Sequence, residues 1–471
     1  MRITNHPILS FNERDTVTFT YEGEEVTANK GETIAAALHN HGVRELGKSG
    51  EAERSRGLFC AIGKCSSCLM RVDGVPNVRT CITAARQGME VEKQSGFPEL
   101  PKSSKKIEPE GVASRSTDIL VIGGGPAGLK AALTGADAGA ELLVVDENPF
   151  LGGQLVKQTH KFFGSSDQAA GTRGIEIGEE LVNQVKERDR IETMTGTSAV
   201  GIYEDTVGLY KNRERFLKLN PEKIVVASGA NEDMITFPNN DLPGVYGAGG
   251  VQTLMNVYGI KPGDSVLMVG AGNVGLIVTY QLLQAGVDVK AIVEVRRRIG
   301  GYFVHAAKVS RCGVPILTGH KVLGVRGEGK VEKATVVKLD ESGNEISDTE
   351  TEYSVDIVAL AVGLSPSYKL LAHAGCELEN VPELGGYVPV RDDRMTTSRS
   401  DIYVAGDAAG IEEATAAMLE GTIAGADAAL ELGSGGEKEL QAIRDSRGQL
   451  EELRAGPDSK ELRTGLQQVK T

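Results

Sequence analysis

The start of the chain follows the two-residue period of β-strands. Apolar and polar positions alternate in TVTFTYEGEEVTA, which predicts a hairpin that turns at Glu22 and Gly23. The stretch ETIAAALHNHGV predicts a short helix that ends at Gly42. MEVEK predicts a closing strand. Together these elements predict a small β-rich domain over residues 1–97.

From residue 118 the pattern changes to strands that alternate with helices, which is typical of α/β domains. The run DILVIGGGPAGLKAALTGADAGAELLVVDE predicts a strand, a glycine-rich turn, a helix and a second strand. The run DSVLMVGAGNVGLIVTYQLLQAGVDVKAIVE repeats this unit 147 residues later, counted from Gly123 to Gly270. We therefore predict an α/β fold with two similar Rossmann-like domains. The polar residues 98–117 before them predict a linker.

Composition and charge disfavour nucleic-acid binding, and the distribution of apolar residues disfavours a membrane span. The net charge of the 471 residues is −14 and Trp is absent, which disfavours nucleic acid as a partner. No apolar run approaches the roughly 20 residues of a membrane span, and the start MRITNHPILSFNERD lacks an apolar signal core. We expect a cytoplasmic protein without a transmembrane segment, held at the inner membrane, if at all, only through partners.

Four of the six cysteines crowd into one loop as C-x4-C-x2-C-x12-C, namely Cys60, Cys65, Cys68 and Cys81. The first three match the plant-type [2Fe–2S] spacing, and the small residues between them let backbone N–H groups approach sulfur. We predict a [2Fe–2S] cluster. Structural zinc is the main alternative, but zinc loops usually carry two C-x2-C pairs; a disulfide or redox switch is the other. Cys312 and Cys376 stand alone, and we expect both to be small buried side chains.

The first Rossmann-like unit carries a complete dinucleotide-binding motif. It has the form G-x-G-x-x-G between a strand and a helix, and an acidic residue follows 23 positions after the first glycine. Such glycines let the backbone approach a pyrophosphate at the helix N-terminus. Asp146, or the adjacent Glu147, would then accept hydrogen bonds from ribose hydroxyls. A tight turn without a ligand is the alternative. The turn residues are Gly123, Gly125, Pro126, Ala127 and Gly128.

The second unit repeats the motif with Gly270, Gly272 and Gly275, and Glu294 lies 24 residues after the first glycine. An acidic residue there favours the unphosphorylated ribose of NAD. The arginines at 296–298 follow at once and offer a site for the 2′-phosphate of NADP, so both nucleotides stay open. An empty second fold is a further alternative.

Seven stretches along residues 118–430 resemble, in order, a two-dinucleotide-fold flavoprotein disulfide reductase: VIGGGPAG, DENPFLGGQ, VVASGA, DLPGVYGAGG, MVGAGNVG, ALAVGLSP and TSRSDIYVAGDAAG. The resemblance implies FAD at the first fold, with Asp407 meeting the ribityl-phosphate part. It implies that Gly152, Gly153 and Gln154 lie under the flavin. Further cofactor-binding positions within these stretches are Ala227, Gly229 and Gly406. The cysteine pair of disulfide reductases is missing, which excludes thiol–disulfide chemistry.

The whole pattern resembles a narrower group, the α subunits of sarcosine oxidase-like and dye-linked amino-acid dehydrogenases. These enzymes act on proline, hydroxyproline, opines or glycine. The resemblance implies a β-grasp ferredoxin-like first domain and a hetero-oligomer in which an amine-oxidising flavoprotein β subunit meets the substrate. It also implies that the first fold holds FAD, NAD or another adenine nucleotide such as ATP, and that FMN lies at the subunit interface in some members.

Three functions follow from this pattern. The first is the electron-transfer subunit of a flavin-dependent amine or amino-acid dehydrogenase or oxidase, which passes electrons through the cluster to an acceptor protein, quinone or dye. The second is a self-contained NAD(P)H-dependent reductase that feeds a protein acceptor. The third is a nucleotide-regulated scaffold. No catalytic residue is assigned, and His160 is the polar candidate beside the flavin segment.

The resemblance to two-dinucleotide-fold flavoproteins also predicts the domain boundaries. Residues 118–240 and 365–432 form the FAD-type domain, and residues 241–364 form an inserted NAD(P)-type domain. Residues 433–471 form a charged tail with an amphipathic helix in KELQAIRDSRGQLEELRA. That helix is interpreted either as a solvated terminal helix or as a docking element for a partner.

Overall fold

The structure is a computed structural model that describes residues 1–11, 14–99, 112–162, 169–212 and 215–470. Most of the predicted linker, residues 98–117, lies outside the described part. The described residues form two compact units. One unit comprises residues 1–106 and 232–363, and the other comprises residues 107–231 and 364–471.

The N-terminal module is a mixed sheet with one helix, as the β-grasp prediction requires. The β1–β2 hairpin turns at Glu22 and Gly23, and β1 pairs in parallel with β7. The sheet order is β2-β1-β7-β5-β6. The predicted hairpin, helix and closing strand are confirmed. The elements are β1 Thr16–Tyr21, β2 Glu24–Asn29, α1 Ile34–Asn40, β3 Gly47–Lys48, β4 Ser55–Arg56, β5 Leu69–Val72, β6 Val75–Arg79, β7 Glu90–Glu92 and β8 Gln94–Ser95.

The first Rossmann-like unit has the predicted strand, turn, helix and strand. Its parallel strands are buried on both faces, as expected for a sheet that helices cover. The elements are β9 Ala113–Ile122, α2 Pro126–Asp137, β10 Leu142–Val145, α3 Gly174–Lys186, β11 Ile191–Met194, β12 Thr197–Ile202, β13 Val207–Lys211, β14 Arg215–Val226 and β15 Ala230–Glu232. The sheet order is β11-β10-β9-β14-β13-β12.

The second Rossmann-like unit repeats this arrangement. Its parallel sheet has the order β16-β23-β17-β18-β19, and β20, β21 and β22 form an antiparallel sheet. The elements are β16 Val245–Gly247, α4 Ala248–Asn256, β17 Ser265–Val269, α5 Asn273–Gln284, β18 Asp288–Glu294, α6 Phe303–Arg311, β19 Ile316–Thr318, β20 His320–Arg326, β21 Lys333–Lys338, β22 Thr351–Ser354 and β23 Ile357–Leu360.

From residue 364 the chain returns to the compact unit that contains the first Rossmann-like fold. The elements are β24 Leu364–Pro366, α7 Lys369–His373, β25 Leu378–Val381, β26 Gly386–Pro389, β27 Ile402–Val404, α8 Ala414–Glu431, α9 Glu437–Arg454 and α10 Lys460–Gln468. Strand β27 pairs in parallel with β14. Helix α8 crosses α2 at Gly421 and Gly425, where any Cβ atom would overlap the carbonyl oxygens of Ala127 and Ala131.

The structure departs from one of the two readings of the C-terminal helix and from the expected burial of Cys312. The predicted C-terminal helix forms as α9, but it is not a solvated helix, because Ile443 and Leu450 are buried in the same core as α8. Cys312 is exposed, because it caps the C-terminal end of α6 instead of lying inside it; Cys376 is buried as expected. Of the helices that the structure describes, none is long and apolar enough to cross a membrane.

Candidate functional site

Three of the four cysteines, Cys60, Cys65 and Cys68, lie in one loop that contains left-handed backbone, and Cys81 follows β6. Residues 57–68 connect β4 to β5, and Ala61, Gly63 and Ser66 have φ angles of 53°, 78° and 59°. Residues other than glycine rarely adopt positive φ angles. Where positive and negative φ angles alternate along the chain, as they do here, successive N–H groups turn toward one point. The N–H of Gly63 donates to Sγ of Cys81 at 3.3 Å, and that of Cys65 donates to Sγ of Cys60 at 3.4 Å.

The four thiols lie close enough to share protons. Cys60, Cys68 and Cys81 are buried, whereas Cys65 is exposed. Hydrogen bonds from the Cys65 and Cys81 thiols lower the pKa of Cys60 to about 2, and a hydrogen bond from Cys81 lowers the pKa of Cys68. The same contacts raise the pKa of Cys65 and of Cys81. Hydrogen bonds between the thiols therefore favour the ionised form of Cys60 and Cys68 and the protonated form of Cys65 and Cys81.

This donor set fits a [2Fe–2S] cluster. Cluster iron takes thiolate ligands, and N–H groups that donate to the sulfur atoms tune its potential. A third such bond runs from the N–H of Ser67 to Sγ of Cys65 at 3.5 Å. In the part of the chain that the structure describes, no three His, Cys, Asp or Glu side chains are grouped as for a single metal ion. A [2Fe–2S] cluster divides its four thiolates between two irons, so it does not need that grouping.

The loop is seated on the second Rossmann-like fold of the same unit. The carbonyl of Phe59 accepts from the N–H of Gly247 at 3.2 Å, and a Cβ at Gly250 would overlap that carbonyl. Gly247 ends β16, and both it and Val269, at the end of β17, lie opposite Leu360 of β23. The loop therefore rests at the carboxyl edge of the sheet, two strands or about 10 Å from the Gly270 turn.

The first glycine turn leaves no room for a side chain at its first and third glycines, Gly123 and Gly128. Gly123 has a φ of 111°, and a Cβ there would overlap the carbonyl of Ala227. A Cβ at Gly128 would overlap the carbonyl of Gly123. Gly125 is the N-cap of α2 and Pro126 is its first residue, so the N-terminus of α2 is open to an anion, as pyrophosphate binding requires.

The acidic residue after β10 braces this turn. Asp146 is buried, and its carboxylate accepts from the N–H of Gly124 at 2.8 Å and from the N–H of Asn148 at 2.8 Å. Burial raises the pKa of Asp146. Glu147 beside it is half-buried. Both carboxylates thus lie at the strand end from which ribose hydroxyls are bound in such folds.

The second turn reproduces the first. A Cβ at Gly270 would overlap the carbonyl of Ala361, and a Cβ at Gly275 would overlap the carbonyl of Gly270. Glu294 is buried and accepts from the N–H of Ala271 at 2.8 Å and from that of Arg296 at 2.9 Å. Gly272 is the N-cap of α5. The two turns therefore have the same geometry.

The likeness extends to a glycine pair that the sequence analysis did not match between the two folds. Each acidic residue is followed, after five residues, by Gly-Gly: Gly152 in one fold and Gly300 in the other. The N–H of Gly152 donates to the carbonyl of Gly124 at 2.8 Å, and that of Gly300 to the carbonyl of Ala271 at 3.1 Å. The repeated D/E-x5-G-G spacing was visible in the sequence.

Gln154, which the sequence analysis predicts to lie under the flavin, is exposed.

Two further predicted flavin residues, Gly406 and Gly153, lie against the N-terminus of α2. Gly406 has a φ of 70°, and a Cβ there would lie 3.0 Å from Cβ of Ala127. Gly153 lies against Gly125, where its own Cβ would lie 2.6 Å from the Cα of Gly125. Burial raises the pKa of Asp407 to about 7, and the nearby Glu420 and Glu412 add to this rise.

Gly229 and His160 are the remaining candidates from the sequence. Gly229 has a φ of 69° and would have open space around a Cβ. His160 stacks on Phe162, with the ring centroids 5.8 Å apart.

Comparison with known proteins supports both halves of this arrangement. The chain matches the 2Fe-2S iron-sulfur cluster binding domain over residues 14–96 and Pyridine nucleotide-disulphide oxidoreductase over residues 117–421. It is similar in structure to L-proline dehydrogenase from P. horikoshii, with a TM-score of 0.71 and 25% identity over 94% of this chain and 79% of that chain.

Two curated relatives are similar in sequence. The alpha subunit of sarcosine oxidase from Corynebacterium sp. (strain U-96) is 26% identical over 437 residues, which cover 87% of this chain and 43% of that protein. An opine oxidase subunit of Rhizobium meliloti is 28% identical over 340 residues, which cover 67% of this chain and 63% of that protein. The chain thus spans less than two thirds of either relative. Since the match over residues 117–421 covers more than half of the chain, this protein is an oxidoreductase of the pyridine nucleotide-disulphide oxidoreductase family, with FAD/NAD(P)-type folds and a 2Fe-2S cluster domain.

Proposed function

We propose that the chain is the electron-transfer subunit of a flavin-dependent amine or amino-acid dehydrogenase or oxidase complex. It passes electrons from substrate-derived reduced flavin to a [2Fe–2S] cluster and then to an external acceptor protein, quinone or dye. The observation that carries the proposal is the seat of the cysteine loop on the second Rossmann-like fold, through Phe59, Gly247 and Gly250. A loop fixed in this way serves as a relay inside a larger enzyme.

Further contacts hold the N-terminal module in place. The ring of His39 is buried and its Nε2 lies 3.0 Å from the carbonyl oxygen of Pro262. The N–H of Ile3 donates to the carbonyl of Gly259 at 2.8 Å. Arg2 pairs with Glu32 and also donates to the carbonyl of Tyr258 at 3.2 Å. Buried polar groups keep such partners because an unpaired one is costly, so these contacts support a fixed module rather than a mobile ferredoxin.

The cofactors supply the redox chemistry, and the chain positions them. A flavin exchanges electrons in pairs or singly, whereas a [2Fe–2S] cluster exchanges them one at a time. We assign Cys60, Cys65, Cys68 and Cys81 as cluster ligands. We assign FAD to the first fold, with Asp146 at the ribose and the Gly406–Asp407 turn at the ribityl-phosphate part, and an NAD(P)-type site to the second fold.

The relatives support the substrate class and the partner. Sarcosine oxidase, opine oxidase and proline dehydrogenase are named for amine substrates, and two of the relatives are named as subunits. We therefore propose a hetero-oligomer with an amine-oxidising flavoprotein β subunit, with FMN as a candidate at their interface. We also propose the domain boundaries predicted from the sequence, with the FAD-type domain at residues 118–240 and 365–432 and the NAD(P)-type domain at residues 241–364.

The test asks whether the electrons come from NADH or from an amino acid oxidised by a partner subunit. Purified chain is mixed under anaerobic conditions with one equivalent of NADH, and flavin and cluster absorption are recorded. The proposal expects no bleaching by NADH, and bleaching of both by an amino acid once the β subunit is added. Rapid bleaching by NADH alone would contradict it.

A second function is favoured by one specific observation. The Gly270 turn is complete, Glu294 braces it, and the cysteine loop lies about 10 Å away at the same sheet edge. A self-contained NAD(P)H-dependent reductase would use this proximity, and rapid bleaching by NADH or NADPH is its expected result.

A further inference from the structure

We infer that Arg454, at the end of helix α9, is a positioning residue for the Gly406–Asp407 turn of the flavin site and acts through Glu420. The inference rests on the proposed assignment of FAD to the first fold. It gives a role in cofactor binding to the charged C-terminal segment, which the sequence pattern presents as a tail. All residues concerned lie in one compact unit.

A continuous set of hydrogen bonds joins the helix to the turn. Arg454 donates through Nε to Oε2 of Glu412 at 3.0 Å and through Nη2 to Oε1 of Glu412 at 2.6 Å. The same Nη2 donates to Oε1 of Glu420 at 2.8 Å. The other oxygen of Glu420, Oε2, accepts from the N–H of Gly406 at 3.0 Å. One guanidinium therefore orients the carboxylate that holds the turn.

Burial and the neighbouring Glu412 raise the pKa of Glu420, and the charges of Arg391 and Arg454 oppose that rise. Glu420 is 3% exposed, and a buried carboxylate without a cation is strongly disfavoured. Charge-assisted hydrogen bonds are roughly twice as strong as neutral ones. Arg391, also buried, adds a second cation to the neighbourhood. Loss of Arg454 therefore weakens the acceptor that fixes the N–H of Gly406.

The packing of α8 prevents Glu420 from moving away to compensate. Its neighbour Gly421 is in direct backbone contact with Ala127 of α2, and Gly425 is in the same contact with Ala131. The two helices cannot separate or slide without breaking these contacts. A disturbed Glu420 must consequently change its side-chain position, and the turn that contains Gly406 moves with it.

The same helix supplies a matched control. Arg447 pairs with Asp393 at 2.8 Å, and both side chains are 43% exposed. Exposed ion pairs contribute little, and within the described part of the chain Arg447 pairs with Asp393 and makes no hydrogen bond to the Gly406–Asp407 turn. Arg447→Gln thus removes an equal charge from α9 without touching Glu420.

The experiment measures FAD binding by the full-length chain after its flavin is removed. Flavin fluorescence gives Kd, and circular dichroism and the melting temperature of the flavin-free protein show that each variant is folded. Arg454→Gln is expected to weaken FAD binding about tenfold or more, Arg454→Lys to restore part of the loss, and Arg447→Gln to leave Kd unchanged.

A double-mutant cycle distinguishes positioning from general destabilisation. If Arg454 acts through Glu420, Arg454→Gln has little further effect on Kd in a Glu420→Gln background. Folded Arg454→Gln protein with wild-type Kd, or effects of the two substitutions that multiply, would overturn the inference while the proposed function stands. Failure of the wild-type chain to bind FAD would instead overturn the flavin assignment and the inference with it.

Discussion

Gly250→Ala tests whether the cysteine loop depends on its seat on α4. A Cβ at Gly250 would lie 2.1 Å from the carbonyl oxygen of Phe59 and 3.3 Å from the carbonyl carbon of Cys60. Carbon and oxygen atoms in contact are roughly 3.3 Å apart. The loop backbone must therefore retreat by about 1 Å, and it carries the first cluster cysteine with it.

The cost follows from two local effects. Overpacking of a well-packed site costs about 1–3 kcal/mol, and the N–H of Gly247, which donates to Phe59 at 3.2 Å, loses its buried acceptor at about 1–3 kcal/mol. The better helix propensity of Ala returns about 1 kcal/mol. We expect the loop seat to lose about 2 kcal/mol net, within these ranges.

The assay is the rate at which the anaerobically purified protein releases iron to a colorimetric chelator. If release follows local opening of the loop, a loss of about 2 kcal/mol accelerates it about 30-fold. The iron content per chain is also expected to fall.

Gly448→Ala is the matched control. Gly448 lies inside helix α9, and among the described residues nothing would lie within 4 Å of its Cβ. This change is expected to leave iron release unchanged and to stabilise the helix by up to about 1 kcal/mol. Wild-type iron content and release rate in folded Gly250→Ala protein would refute the argument that α4 holds the loop.

Three further predictions test the sites separately. Cys65→Ser is expected to remove the iron–sulfur absorption and to leave bound flavin in place; zinc without acid-labile sulfide in the wild-type chain would contradict this. Gly128→Ala is expected to abolish FAD binding and Gly275→Ala to spare it, because each Cβ would overlap a carbonyl of its own turn; both are measured by flavin content. Burial raises the pKa of Asp407 to about 7, above the roughly 4 of an unfolded Asp. The flavin-free wild-type protein therefore loses stability as pH rises from about 4 to about 7. Asp407→Asn is expected to gain about 4 kcal/mol relative to wild type over that range, measured by urea unfolding at each pH. A pH-independent difference would contradict this expectation.

Local patterns were enough to predict the elements that surround the candidate sites. The alternation before and after Gly23 predicts the β1–β2 hairpin, since strand period and turn chemistry are both short-range properties. The glycine spacing at Gly123 and Gly270 predicts each turn, because the steric demands lie within a few residues. The equivalent positions of Asp146 and Glu294 in the two folds could also be predicted from the sequence, as could the Gly-Gly pair that follows each.

Contacts between distant segments were beyond such patterns. Glu420 and Gly406 are fourteen residues apart, and Arg454 is thirty-four residues beyond Glu420. No periodicity links these positions, and a charged C-terminal sequence does not reveal which of its arginines is only 18% exposed. The exposure of Cys312 was missed for a similar reason, because its place at the end of α6 depends on where that helix stops.

The two Rossmann-like folds use the same turn, so the turn alone cannot determine what each fold does. Asp146 and Glu294 brace their glycines with matching hydrogen bonds. The difference lies in what else reaches each carboxyl edge. The first fold receives the Gly406–Asp407 turn, which Glu420 holds by the N–H of Gly406. The second receives the cysteine loop, which Gly247 holds by the carbonyl of Phe59. Because each addition is fixed by backbone hydrogen bonds, the functional difference between two similar folds arises from the segments packed on them, and substitutions there should separate flavin binding from cluster retention.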